Sequence, residues 1–197
     1  MGKLGRFRLI LCCRQCEFDT SLNLNMQDKK FFGLMGNASN FLKGLTLLET
    51  SNYGWTEKFL DPSTKSHWLK YMIDRDNGRY FNLMLLTPKP TTNEMIDIAF
   101  NSSDHDEVEG AVHRLFIEEE DGKIDFRPAV IERLKKIDIL QLNTEEKKRI
   151  KTIILNGHLT DRTNKREIIG KQFSEIQNDV DFFNGVADKA EKILKQL

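Results

Sequence analysis

The sequence predicts an all-α protein. Its antiparallel helical pairs stack as a short solenoid, with a long C-terminal helix and an irregular N-terminal region. Three observations predict it. From Trp55 onward, apolar stretches with helical spacing alternate with short polar turns. No stretch after residue 55 shows the period-two alternation of a half-buried strand. At the C-terminus, Ile169, Phe173, Ile176, Val180, Phe183, Ala187, Ala190, Leu194 and Leu197 follow one another at spacings of 4 and 3, four unbroken heptads.

Residues 1–54 read as an irregular region or cap. Residues 7–11 suit a short strand or a frayed helix, and 23–40 is rich in Asn, Asp and Gly, as loops are. Phe41, Leu42, Leu45 and Leu48 give 41–49 a helical pattern, closed by Asn52-Tyr53-Gly54. The helical-pair array covers 55–163. Its helices run over 66–73 (Trp68, Leu69, Met72, Ile73), 79–86, 93–100, 106–119, 126–137 and 147–155. The 106–119 segment is the clearest, with Val108, Ala111, Val112, Leu115 and Phe116 on one face. Ser102-Ser103-Asp104 and Asn143-Thr144-Glu145-Glu146 supply N-caps. Asp121-Gly122 and Asn156-Gly157 are turns. Residues 164–197 form the C-terminal helix, packed on the body, with a possible break at Asn184-Gly185 because an interior glycine costs about 1 kcal/mol against alanine.

The 24 residues 93–116 resemble one HEAT repeat. The turn carries Asp104, and Val108, Ala111 and Leu115 follow as Val-x-x-Ala-x-x-x-Leu. Glu109 stands where the family often has arginine, and the proline of its first helix is missing. Looser echoes lie at 66–86 and 126–155. The resemblance implies an α-solenoid that binds other macromolecules on its concave face.

The 197 residues carry 30 Lys+Arg and 30 Asp+Glu, with 39% hydrophobic residues. A neutral chain does not advertise nucleic-acid binding. The balance hides a pattern, since residues 91–142 hold 6 basic and 13 acidic groups, a net of −7. Asp104, Asp106, Glu107, Glu109, Glu118, Glu119 and Glu120 make this segment a candidate docking surface for a basic partner. Most such clusters merely solvate a surface. Trp55, Trp68 and Tyr71 are the aromatic candidates, either core or binding hot spot.

No apolar run is long enough to span a bilayer, and residues 9–13 are too short for a signal peptide, so a cytoplasmic protein is expected. Cys12, Cys13 and Cys16 offer a lone C-x-x-C without the second pair a zinc site needs. His105, Glu109 and His113 recur at i, i+4 and i+8 and could ligate a metal, but more simply decorate a helix face. The Asp74-Arg75-Asp76-Asn77-Gly78 turn lacks the closing glutamate of a calcium loop, and no P-loop or nucleophile elbow is present.

The chain is therefore expected to be a non-catalytic protein-binding module with no cofactor or metal. Its concrete form would be a bacterial immunity protein that blocks a toxin through an acidic surface. The alternative is a nucleic-acid-processing or metal-dependent enzyme on a helical-repeat scaffold. Homodimerisation through 169–197 is a second possible contact.

Overall fold

Strands, not helices, fill most of residues 46–85. The structure is a computed structural model that describes residues 29–74, 77–78 and 80–197. Phe31–Phe32 is β1, Met35–Leu42 is α1, and four strands follow: Thr46–Ser51 (β2), Thr56–Leu60 (β3), His67–Met72 (β4) and Phe81–Leu85 (β5). They form one antiparallel sheet in the order β1-β5-β4-β3-β2. Five helices then run Thr92–Asn101 (α2), His105–Glu120 (α3), Arg127–Leu134 (α4), Thr144–Asn156 (α5) and Phe173–Leu194 (α6).

The fold is thus mixed α/β, which overturns both the all-α reading and the HEAT-like solenoid. The reason lies in how the sheet is covered. Tyr71 and Met84 bury one face against the helices, with Phe31 of the edge strand beside them. Phe32, Phe59, Trp68 and Leu83 bury the other face under α1. A sheet covered on both faces loses its polar alternation, so its strands read as continuous apolar runs. Trp68, Leu69 and Met72 of β4, with Ile73 just after it, mimic helical spacing because both faces of the strand need apolar side chains. β5 is apolar throughout except for Asn82, which is fully buried.

The predicted helices at 66–73 and 79–86 are therefore β4 and β5, and 41–49 divides between α1 and β2. Residues 93–100, 106–119 and 147–155 are helical within α2, α3 and α5, but the expected helix 126–137 is helical only over Arg127–Leu134, and the C-terminal segment expected to be helical over 164–197 forms its helix only over Phe173–Leu194. Helix starts were signalled by chemistry. Thr91 and Glu94 form a capping box on α2, and Asn143 and Glu146 form another on α5. Asp104 accepts from Asp106 N at the start of α3. The α2–α3 pair is real, but it packs on a sheet and on α5 instead of on a neighbouring repeat.

α3 is the spine. Its Gly110 permits backbone contact with β1: a Cβ there would lie 2.7 Å from Phe31 Cβ and 3.1 Å from Gly33 N. Arg127, with 0% exposure, joins the helical half. Its Nε donates to both Glu119 oxygens at 2.9 Å, its Nη1 donates to His158 O at 3.1 Å, and its guanidinium lies over Phe183 at 4.9 Å. α6 runs unbroken through Asn184-Gly185. No helix among the described residues is long and apolar enough to cross a membrane. The expectations for residues 7–11 and for Cys12, Cys13 and Cys16 fall outside the described residues.

Candidate functional site

The helices cover the β1 side of the sheet more fully than the β2 side, and a groove of about 630 Å³ opens between the sheet and the end of α3. Leu69 and Tyr71 of β4 line it from the sheet, and Arg114 and Ile117 line it from α3. Lys123 and Asp121, in the turn after α3, close one end. Tyr53 and Trp55, from the β2–β3 connection, form its rim.

That connection is built to display its aromatic residues. Tyr53 sits at φ 57 and ψ 32, a left-handed conformation that a bulky residue adopts only at a cost, and Gly54 follows at φ 88. The Tyr53 side chain is fully exposed. Trp55 is 38% exposed, and its carbonyl accepts from Met72 N at 3.0 Å, which ties the rim to β4.

The groove floor is rigid and charged. Arg114 is 8% exposed, and its Nε and Nη2 donate to Glu118 Oε1 at 2.9 and 2.7 Å. Its guanidinium lies 5.1 Å from the Tyr71 ring centre. Tyr71 Oη donates to Gly110 O at 3.2 Å. Burial pushes the Tyr71 hydroxyl well above its ordinary range, against the opposing pull of Arg114, so it stays a neutral donor. Burial works against the Glu118 charge as well. Hydrogen bonds from Lys89 and Arg114 outweigh it and hold that carboxyl below the usual range.

The acidic candidates do not line the groove, though Glu118 holds its Arg114, and all seven have a partner. Asp106 is buried: its Oδ1 accepts from Gly33 N (2.8 Å) and Leu34 N (2.5 Å), and its Oδ2 accepts from Asn37 Nδ2 and Lys29 Nζ. Asp104 also takes Lys29. Glu107 accepts from Lys30 N and Ser102 Oγ. Glu109 faces His105 at 3.3 Å. Glu118 and Glu119 are buried on Arg114 and Arg127, and Glu120 faces Lys165. Burial raises the Glu119 carboxyl despite Arg127.

Of the aromatic candidates, Trp68 and Tyr71 are buried, on opposite faces of β4. Trp68 packs in the second cluster, 4.8 Å from the Phe41 ring, while Tyr71 and Trp55 share the groove. The structure also separates His105, Glu109 and His113 by role. His113 points at the sheet: the Asn82 amide accepts from its Nδ1 (3.1 Å) and donates to Gly33 O (2.8 Å) and Phe81 O (3.0 Å). Burial, then the nearby His158, lowers the His113 imidazole to about 4. Among the described residues, no group of three or more His, Cys, Asp or Glu is placed to hold a metal ion.

Sequence reasoning missed Tyr53 and Arg114. Tyr53 stood inside Asn52-Tyr53-Gly54, which marks a turn without saying which side chain the turn displays. Arg114, four residues before Glu118, gave a legible ion pair but not its place over Tyr71. Comparison with family models, curated proteins and solved structures finds no match to this chain.

Proposed function

We propose that this chain is a non-catalytic protein-binding module that docks its partner on the Tyr53–Trp55 rim and the groove below it. The observation that carries the reading is Tyr53, a wholly exposed aromatic residue held in left-handed backbone beside half-exposed Trp55. Unfavourable backbone is kept where the display of a side chain has a use. Tyr, Trp and Arg are also the residues that dominate binding energy at protein interfaces. In concrete form the module is an immunity protein that covers a toxin. Its contact is the aromatic rim in place of the acidic segment, because Asp106, Glu118 and Glu119 are buried and the other four acids already have partners.

The test compares wild type with the Tyr53→Ala, Trp55→Ala double variant. Each protein is used as bait in the source lysate, and the captured partner is then purified for titration calorimetry. The expected result is a 1:1 partner whose affinity falls about 100-fold in the double variant, with an unchanged melting curve. Expressing that partner alone is expected to arrest growth, and co-expression with wild type to relieve the arrest. Equal affinity for both forms would refute the rim as the contact. A harmless partner would refute the immunity role and leave the binding role standing.

A further inference from the structure

A pocket of about 370 Å³ lies where α2 and α4 end and α5 begins. It shares no lining residue with the aromatic groove. Phe100, Ile137, Leu142 and Ile150 give it apolar walls; Ile150 is buried, and the other three are half-buried against the core. Arg133, Lys136 and Arg149 converge on the same space. Polar groups that converge on apolar walls are the pattern of a small-molecule site.

The three cations differ in what already holds them. Arg133 Nη1 donates to Asp97 Oδ1 at 2.6 Å, and its guanidinium lies 5.1 Å from the Phe100 ring centre. Its charge is therefore offset and its plane is fixed. Arg149 Nη1 donates to Phe100 O at 2.8 Å, which anchors the guanidinium without neutralising it. Its Nε and Nη2 have no partner among the described residues. Lys136 is exposed and forms no ion pair among the described residues, since neighbouring Glu132 is taken by Lys135 at 2.5 Å. Glu146 also lines the pocket, but its Oε2 accepts from Asn143 N at 2.9 Å in the α5 capping box. With Asp97 counted, three positive and two negative groups surround the space, and the two cations left uncompensated are Lys136 and Arg149.

We propose that this pocket binds a small organic phosphate, a phosphate monoester carried on an aromatic or short aliphatic group. Three features select that ligand. The first is geometry: the Nε and Nη2 edge of Arg149 is the fork that takes two oxygens of one phosphate side by side. The second is charge. A phosphate monoester is close to a dianion at neutral pH, so it meets both Lys136 and Arg149, whereas a carboxylate brings one charge only. The third is size. The walls leave room for one ring or a short chain, near the lower limit of ligand pockets, and a polymer would find no continuation of the basic surface inside them.

Titration of the isotope-labelled full chain with phenyl phosphate at constant ionic strength, followed by NMR, tests this. Saturable shifts are expected at the backbone amides of Phe100, Ile137 and Ile150, with a Kd of about 0.5 mM. Inorganic phosphate lacks the apolar contact and phenol lacks the charge, so each is expected to bind at least about 10-fold more weakly. Lys136→Glu should weaken phenyl phosphate at least about 10-fold with an unchanged melting curve, because the side chain it replaces is exposed and forms no ion pair. Lys136→Arg should restore binding. Arg149→Lys keeps the charge and loses the fork, and should weaken binding about 5-fold. The proposal is overturned if phenyl phosphate gives no saturable shift up to about 20 mM, if the shifts centre elsewhere, or if Lys136→Glu binds as wild type does. Equal binding of inorganic phosphate would also overturn it, by reducing the site to general attraction of anions. The Tyr53→Ala, Trp55→Ala variant should bind phenyl phosphate as wild type does, which keeps this pocket separable from the rim.

Discussion

Replacing Asp106 with Ala separates architecture from recognition within the acidic segment. The Asp106 carboxylate accepts four hydrogen bonds, two of them from the backbone N–H groups of Gly33 and Leu34. Gly33 N also reaches Asp106 O at 3.0 Å, so it keeps a partner in the variant, whereas Leu34 N loses the one shown here. An orphaned donor costs about 1–3 kcal/mol. Lys29, with its side chain 9% exposed, loses one of its two carboxylates and keeps Asp104. Removing one partner of a buried ion pair costs about 3–5 kcal/mol, and the retained Asp104 brings the combined loss to about 3–4 kcal/mol. For a domain of this size that lowers Tm by about 10 °C. Asp104→Ala is the control: its carboxylate is 46% exposed, and its main loss is an N-cap worth about 1 kcal/mol. Urea unfolding of wild type and both variants measures the difference. If Asp106→Ala unfolds at the same midpoint as Asp104→Ala, the claim that Asp106 clamps β1 and α1 to α3 is wrong. The affinity of the folded fraction for a partner should not change, since Asp106 is 3% exposed.

Two other perturbations probe the same junction. His113 is held at about 4 in the folded state against 6.5 when unfolded, so the unfolded chain binds the extra proton between those values. Its contribution is fully present above pH 6.5 and is lost as pH falls towards 4, a total of about 3 kcal/mol. His113→Gln should reduce the stability slope between pH 6.5 and 4.5 in denaturant titrations, with His158, also lowered by burial, supplying part of the remainder, and an unchanged slope would reject the burial argument. Gly110→Ala would force a methyl group to within 2.7 Å of Phe31 Cβ, and should lower stability by about 3 kcal/mol through displacement of β1. A neutral effect would mean that α3 and β1 are not in backbone contact.

The second half of the chain was legible because its helices carry their own signals. α3 has one apolar face, and α2 and α5 open on capping boxes, so each can be recognised without knowing what it packs against. The strands lack that independence. β4 and β5 are apolar on both faces because α1 covers one and the helical layer covers the other, and neither cover is visible from the strand itself. β2 fails in the opposite way. Five of its six residues are exposed, with Leu47 and Leu48 both at 52%, so an edge strand carries almost no burial pattern. α1 compounded the error, since its apolar residues run into Leu45 and Leu48 across a turn and imitate one longer helix.

The candidate site shows the same division between local and non-local information. The net of −7 over residues 91–142 is a true property of the sequence, yet it says little about the surface. Lys29, Lys30, Lys89, Arg114, Arg127 and Lys165 supply counter-charges to that segment, and four of the six come from outside it. A charge run predicts a field only when the fold leaves it unpaired, and here folding pairs much of it with basic side chains. The exposed large apolar side chains include Tyr53 and Trp55 at the groove, Phe173 at the start of α6 and Ile169 in the turn before it. Recognition by such surfaces depends weakly on ionic strength, whereas docking through a −7 patch would weaken steeply with salt. Partner affinity measured at 50 and 500 mM salt therefore discriminates directly. A change of less than about threefold fits the aromatic rim, and a loss of tenfold or more would return the acidic segment to the interface.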